Sequence, residues 1–204
     1  MTEQATIYVV DDDEAIRDGI SDLVESMGLK TQAFASAEEF LQGYSASGPA
    51  CLVLDVRMTG MSGLELQQTL AEREIDIPIV IVTGHGDIPM AVEAMERGAV
   101  DFIEKPFREQ ALWKSIKKGL TVAAESADIK ARKAKLKKTL TLLSPKELEV
   151  AKLLVTGKID KQIATELGVS RRAIAFHRAD ILRKMEVSSV IELASLVSKV
   201  NHSF

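Results

Sequence analysis

The chain has 204 residues, 46% hydrophobic and 27% charged, with a formal net charge of −4, which is the balance of an ordinary soluble protein of one large domain or two small ones. No apolar run approaches the roughly 20 residues of a membrane span, and "MTEQAT" lacks the pattern of a signal peptide, so the expected location is the cytoplasm with no membrane partner. A single cysteine, Cys51, excludes an internal disulfide.

The charge is unevenly placed. Residues 1 to 120 carry 10 Lys and Arg against 21 Asp and Glu, a net of −11, whereas residues 121 to 204 carry 16 against 9, a net of +7. An acidic half joined to a basic half implies two domains with different partners, the basic one suited to a polyanion.

The first apolar run, "IYVV" (7 to 10), leads straight into Asp11, Asp12 and Asp13. Carboxylates this close resist ionising together unless a cation or solvent relieves them, so the stretch is either a solvated acidic loop or part of a metal site. Asp13 stands directly before "EAIR" and reads as a helix N-cap. In the helix that follows, Ile16, Ile20, Leu23, Val24 and Met27 recur on one face, and Gly28 ends it. A weaker strand, "TQAF" (31 to 34), comes next, then "CLVL" (51 to 54), "IVIV" (79 to 82) and "VDFI" (100 to 103). Cys51 lies inside the third run as a buried thiol. Continuous apolar strands alternating with helices predict a doubly wound, flavodoxin-like α/β domain with a five-stranded parallel sheet over residues 1 to 120.

Ligands of an open α/β sheet collect beyond the carboxyl ends of its strands. Asp11 and Asp12 follow the first strand, Asp55 the third, Thr83 the fourth and Lys105 the fifth. Three carboxylates, a hydroxyl and an amine would then share one edge. Oxygen ligands of this kind suit Mg²⁺, and Asp55 beside the cation would be a nucleophile able to form an aspartyl phosphate. A haloacid-dehalogenase-like phosphatase also uses such a set, but it wants an acid/base aspartate two residues beyond the nucleophile, where Arg57 stands. An interaction protein that works without phosphorylation is a second alternative.

The blocks "VVDDD", "LDVRM", "VTGHGD" and "FIEKPF" resemble the signature of a two-component response-regulator receiver domain, of the FixJ type in particular. The resemblance implies that Asp55 is the phosphoacceptor. It implies Mg²⁺ ligands from Asp12, Asp55 and the Arg57 backbone carbonyl, with Asp11 acting through water. Lys105 would pair with a phosphoryl oxygen, Thr83 would turn its hydroxyl onto another, and Phe102 would be the aromatic switch residue that moves inward with Thr83. A cis Lys105–Pro106 bond is implied as well. His85, between glycines and with no second His or Cys nearby, reads as a loop residue. One departure stands out: the family usually has "RMPGM" where this chain has "RMTGM", so Thr59 replaces a proline and the loop loses a restraint.

Residues 121 to 140, "TVAAESADIKARKAKLKKTL", hold no Gly or Pro and read as a helical linker that continues the last receiver helix, weakly interrupted at Gly119. Its basic run is read as a solvated helix face. Residues 141 to 204 read as an all-α domain of four short helices. "SPKE" at Ser144 has the spacing of a capping box, helix 146 to 156 stops at Gly157, the second runs 160 to 167 to Gly168, the third starts after Ser170 and the fourth spans 189 to 199. "DKQIATELGVSRRAIAFHRADILRKM" fits a helix-turn-helix whose second helix lies in a DNA major groove.

This segment resembles the NarL/LuxR/FixJ class of DNA-binding domain over residues 140 to 200. Ile174, Ile181 and Met185 are expected inward, with Arg171, Arg172, Ala175, Phe176, Ala179 and Arg183 outward and His177 at the packing boundary. Lys161 and Arg178 match phosphate-contacting positions; Ala175, Phe176 and Ala179 match positions that reach base edges. None of those three side chains can donate a hydrogen bond, so readout would fall to thymine methyls, Arg171, Arg172 or DNA shape. Asp160 and Asp180 stand where the family often has asparagine, placing negative charge near the phosphate backbone. The expected protein is a transcriptional regulator rather than an enzyme. It takes a phosphoryl group from a sensor histidine kinase, dimerises through the face of residues 87 to 118, binds double-stranded promoter DNA and has RNA polymerase as a further partner.

Overall fold

A computed structural model describes residues 5–45, 48–84 and 88–198, and His85 lies outside them. The chain divides into two compact units, Met1–Ala127 and Asp128–Phe204.

The first unit runs β1 (Thr6–Val10), α1 (Glu14–Ser26), β2 (Lys30–Phe34), α2 (Ala37–Gly43), β3 (Ala50–Leu54), α3 (Gly63–Glu72), β4 (Ile79–Thr83), α4 (Ile88–Glu96), β5 (Asp101–Glu104) and the first part of α5 (Glu109–Leu140). The sheet is parallel in the order β2-β1-β3-β4-β5. β1, β3 and β4 are buried along their whole length because helices cover both faces, which is why their sequences run apolar without alternation. Alternate residues feed opposite cores. Tyr8, Val10, Leu52, Leu54 and Ile81 pack with Phe40 and Leu66 on one side, and Ile7, Val9, Cys51, Val53 and Val82 pack with Val24, Leu112 and Ile116 on the other.

Asp13 caps α1 as expected, accepting from the Ala15 N–H at 2.9 Å. Gly119, expected to interrupt the last receiver helix weakly, lies inside an unbroken 32-residue α5. Its role is steric: a Cβ there would sit 2.5 Å from Cys51 Sγ, so glycine lets α5 close onto the sheet. Burial pushes the Cys51 thiol up to about 12, consistent with an inert core cysteine. No helix among the described residues is long and apolar enough to cross a membrane.

The second unit holds α6 (Pro145–Val155), α7 (Asp160–Leu167), α8 (Arg171–Lys184) and α9 (Val190–Ser198). Leu136 from the end of α5 joins Val150, Leu154, Ile163, Ile174, Ile181, Met185 and Leu193 in its core. α7 ends on Gly168 in the left-handed region, φ 66°, and two residues later the Ser170 side chain caps α8 by accepting from the Ala173 N–H. That short turn sets the two helices as a helix-turn-helix.

The Ser144 capping box is present, and its partner Glu147 does more than cap. Glu147 is 4% exposed, and both of its carboxylate oxygens accept from Lys184 Nζ, at 2.8 and 2.7 Å. The Lys184 hydrogen bond, followed by the Ser144 N–H, lowers its pKa from 4.5 to about 2. Because the folded-state value is depressed, the stability Glu147 contributes is whole above pH 4.5 and is lost as pH falls through about 2. Glu147→Gln is expected to cost about 2 kcal/mol at neutral pH, the scale of a charged hydrogen bond, and to flatten the acid side of the stability profile. Thermal melts of both proteins across acid pH, followed by circular dichroism, check this; parallel profiles would refute it.

Candidate functional site

The edge that carries the chemistry is built by strand register. Val10 pairs with Leu54, so the next residues, Asp11 and Asp55, leave β1 and β3 side by side, at the point where the strand order reverses. The Asp55 N–H donates to the Val10 carbonyl at 2.9 Å. On the other side Thr83 pairs with Glu104, and the Lys105 N–H donates to the Thr83 carbonyl at 2.9 Å, which brings Lys105 off β5 toward the same edge. The Lys105–Pro106 bond is cis, as expected.

The side chains meet there. Lys105 Nζ donates to Asp11 Oδ2 at 2.5 Å and to Asp55 Oδ2 at 3.1 Å. Asp11 and Asp55 are buried, while Asp12 faces solvent. One carboxylate oxygen from each of the three lies within 4.8 Å of the others. Burial pushes the Asp11 carboxyl above its usual range, against hydrogen bonds from Lys105 and the Asp13 N–H. Burial also pulls the Lys105 ammonium down, but its hydrogen bonds to Asp11 and Asp55 outweigh that and hold it above the usual lysine range. The lysine is therefore a fixed cation between two buried carboxylates.

Thr83 is fully buried, and its Oγ1 has no hydrogen-bond partner among the described residues. An unmatched buried hydroxyl costs about 1–3 kcal/mol, so a group that gives it a partner is favoured. Phe102 is half-buried on β5 and packs against the core cluster that includes Ile81 and Ala94. The Arg57 N–H donates to Asp55 Oδ1 at 3.3 Å.

Three supports were not read from the sequence. Arg17 Nη1 donates to the Asp11 carbonyl at 2.8 Å, fixing the acidic loop. Gly63 opens α3 so close to the loop after β3 that a Cβ would lie 2.1 Å from the Asp55 carbonyl oxygen, which excludes any larger residue. Thr59, expected only to loosen its loop, donates its N–H and its hydroxyl to Asp12 Oδ2 at 3.0 and 3.2 Å. A "Gly" after a "DxxM" block and a hydroxyl four residues past the aspartate were the available signals.

In the second unit α8 presents Arg171, Arg172, Ala175, Phe176 and Ala179 to solvent, with Phe176 66% exposed, while Ile174, Ile181 and Met185 point into the core and His177 lies at the boundary. Lys161 is exposed on α7. Arg178 is engaged within the chain: its Nη1 donates to Asp160 Oδ1 at 3.0 Å. Asp180 is likewise paired, with Arg183 at 2.8 Å.

Residues 7–117 match the response regulator receiver domain, and residues 141–197 match the luxR family of bacterial regulatory proteins. The chain is a two-component response regulator. It is 43% identical over 204 residues to the response regulator protein TodT of Pseudomonas putida, across 100% of this chain and 90% of TodT. It is 39% identical over 199 residues to the transcriptional regulatory protein FixJ of Bradyrhizobium diazoefficiens, across 98% of this chain and 97% of FixJ. The solved structure of the response regulator StyR is 42% identical with a TM-score of 0.83, covering 96% of this chain and 99% of StyR. The relatives of this response regulator are transcriptional regulators, so the phosphatase reading falls and the chain is not an enzyme of that kind. Receiver domains bind Mg²⁺ at an aspartate cluster, and the residues here fit the ion: the donors are all oxygen, and the exposed Asp12 leaves room for the waters that Mg²⁺ retains.

Proposed function

We propose that this response regulator accepts a phosphoryl group on Asp55 from the phosphohistidine of a sensor histidine kinase, and that the modified chain pairs with a second copy and binds promoter DNA. The observation that carries this reading is Lys105 bridging Asp11 and Asp55 beside Asp12. The ion would be held by Asp12, Asp55 and the Arg57 carbonyl, with Asp11 behind a water; when bound it offsets the charge of the incoming group. An Asp55 carboxylate oxygen attacks phosphorus, the phosphorus–nitrogen bond to the kinase histidine breaks, and an aspartyl phosphate forms. Lys105 then exchanges its bond with Asp55 for one to a phosphoryl oxygen. Thr83 supplies to another the hydroxyl that lacks a partner among the described residues, and Phe102 follows it inward.

Support for pairing lies on α4, where Ile88 is 81% exposed, Val92 49% and Met95 43%, an apolar strip on the face of residues 87 to 118. Moving a one per cent active population to almost fully active takes about 5.5 kcal/mol of differential stabilisation, which new phosphoryl bonds and a new interface can share. A dimer then brings two α8 helices to half-sites one DNA turn apart, with Lys161 and Arg178 on phosphates and Arg171, Arg172, Ala175, Phe176 and Ala179 at the groove. Promoter binding places the work in the cytoplasm, with RNA polymerase as the downstream partner. Sedimentation velocity with Mg²⁺ and beryllofluoride is expected to show a dimer where the untreated chain is monomeric. An unchanged coefficient at concentrations well above those in the cell would contradict the pairing step.

A further inference from the structure

Each of the three aspartates at the β1/β3 edge is supported differently. Asp11 and Asp55 share the Lys105 ammonium, a full positive charge that a divalent cation must compete with or displace. Asp12 has no basic partner among the described residues. Its Oδ2 instead takes two neutral donors, the Thr59 N–H and the Thr59 hydroxyl, from a residue 47 positions along the chain, and no donor among the described residues reaches its Oδ1. A proline at 59 could supply neither bond, since it has no N–H and no hydroxyl. The loop that carries Thr59 is pinned from its other end, where the Met61 N–H donates to Glu38 Oε1 at 3.1 Å and Gly60 turns with φ 85°. Thr59 is thus held by the fold rather than reaching out on a free loop.

We infer that Thr59 is a positioning residue for the cation site: it fixes the Asp12 carboxylate through Oδ2 and leaves the other oxygen for the metal. This inference rests on the Mg²⁺ reading of the site. The physical case has two parts. A ligating carboxylate whose outer oxygen is already hydrogen-bonded has lost its rotational freedom before the ion arrives, so less is lost on binding. Neutral dipoles also ease the repulsion among the three aspartates without placing another positive charge beside the incoming cation. Where the proline of the family pattern stiffens the loop, this chain ties the loop directly to a ligand.

The test uses the full chain and Mn²⁺ as the probe, with free ion counted by electron paramagnetic resonance. Thr59→Val keeps the shape and the N–H but loses the hydroxyl, Thr59→Ser keeps both donors, and Thr59→Pro loses both. Removing such outer partners commonly costs about 10- to 100-fold in metal affinity, so the proline variant is expected to weaken Mn²⁺ about tenfold, the valine variant roughly threefold, and the serine variant to match the parent. Phosphorylation from acetyl phosphate should fall in the valine and proline variants at low Mg²⁺ and return to the parent rate at saturating Mg²⁺, a split that a general structural defect would not produce. Parental Mn²⁺ affinity in both the valine and proline variants overturns the role of Thr59. A parent chain that binds no Mn²⁺, or an Asp12→Asn chain that binds it equally well, overturns the cation reading beneath it.

Discussion

Asp55→Asn is expected to abolish phosphorylation while leaving the fold in place. The amide keeps the side chain's size and can still accept from the Arg57 N–H, but its nitrogen and its neutral oxygen are not nucleophiles toward phosphorus. Lys105 retains Asp11 as a partner, so no buried cation is stranded. Incubation with acetyl phosphate and Mg²⁺, followed by intact mass and peptide mapping, should show one phosphoryl group on the parent and none on the variant. Chelation of Mg²⁺ should suppress labelling of the parent too. An Asp55→Asn chain that labels fully would remove Asp55 from its role.

The second large effect concerns DNA. Lys161→Ala and Arg178→Ala should each weaken binding to every sequence and lower the salt slope by about one unit, the signature of a lost phosphate contact. The two should differ in size, because Arg178 must first leave Asp160. Asp160→Asn frees that guanidinium and is expected to tighten binding by about 1 kcal/mol, roughly fivefold, the upper end for a partly exposed pair. In the Asp160→Asn background Arg178→Ala should then cost more than it does in the parent. Arg172→Ala should relax sequence preference if Arg172 reads a base edge. Anisotropy titrations of a labelled duplex at several salt concentrations separate these outcomes. Unchanged slopes for both Lys161→Ala and Arg178→Ala would make them ordinary surface charges.

What the sequence disclosed depended on how local the cause was. β1, β3 and β4 stood out because burial on both faces demands unbroken apolar runs, whereas β2 was faint because this edge strand leaves Lys30, Gln32 and Ala33 exposed. Caps at Asp13 and Ser144 were readable because both partners sit within three residues. Gly119 was misjudged, since its glycine is required by Cys51 on a strand far away in the chain, not by its own helix. The acidic edge was legible because strand ends must converge in an open sheet. The Thr59 bonds to Asp12 and the Asp160 pair with Arg178 were not, because each depends on how loops and helices pack in three dimensions. Two of the departures from the family pattern, Thr59 and Asp160, therefore have partners that only the folded chain reveals.

The proposed function stands on one link, that a phosphoryl group on the acidic unit governs DNA binding by the basic one. Its most direct test is a DNA titration of the full chain with and without phosphoramidate and Mg²⁺, using a duplex selected from a random pool by the phosphorylated protein. Phosphorylated parent is expected to bind at least tenfold more tightly than resting parent, as two half-sites act together, and Asp55→Asn is expected to stay at the resting affinity under both conditions. Equal affinity of the parent before and after full phosphorylation, verified by mass, would contradict it.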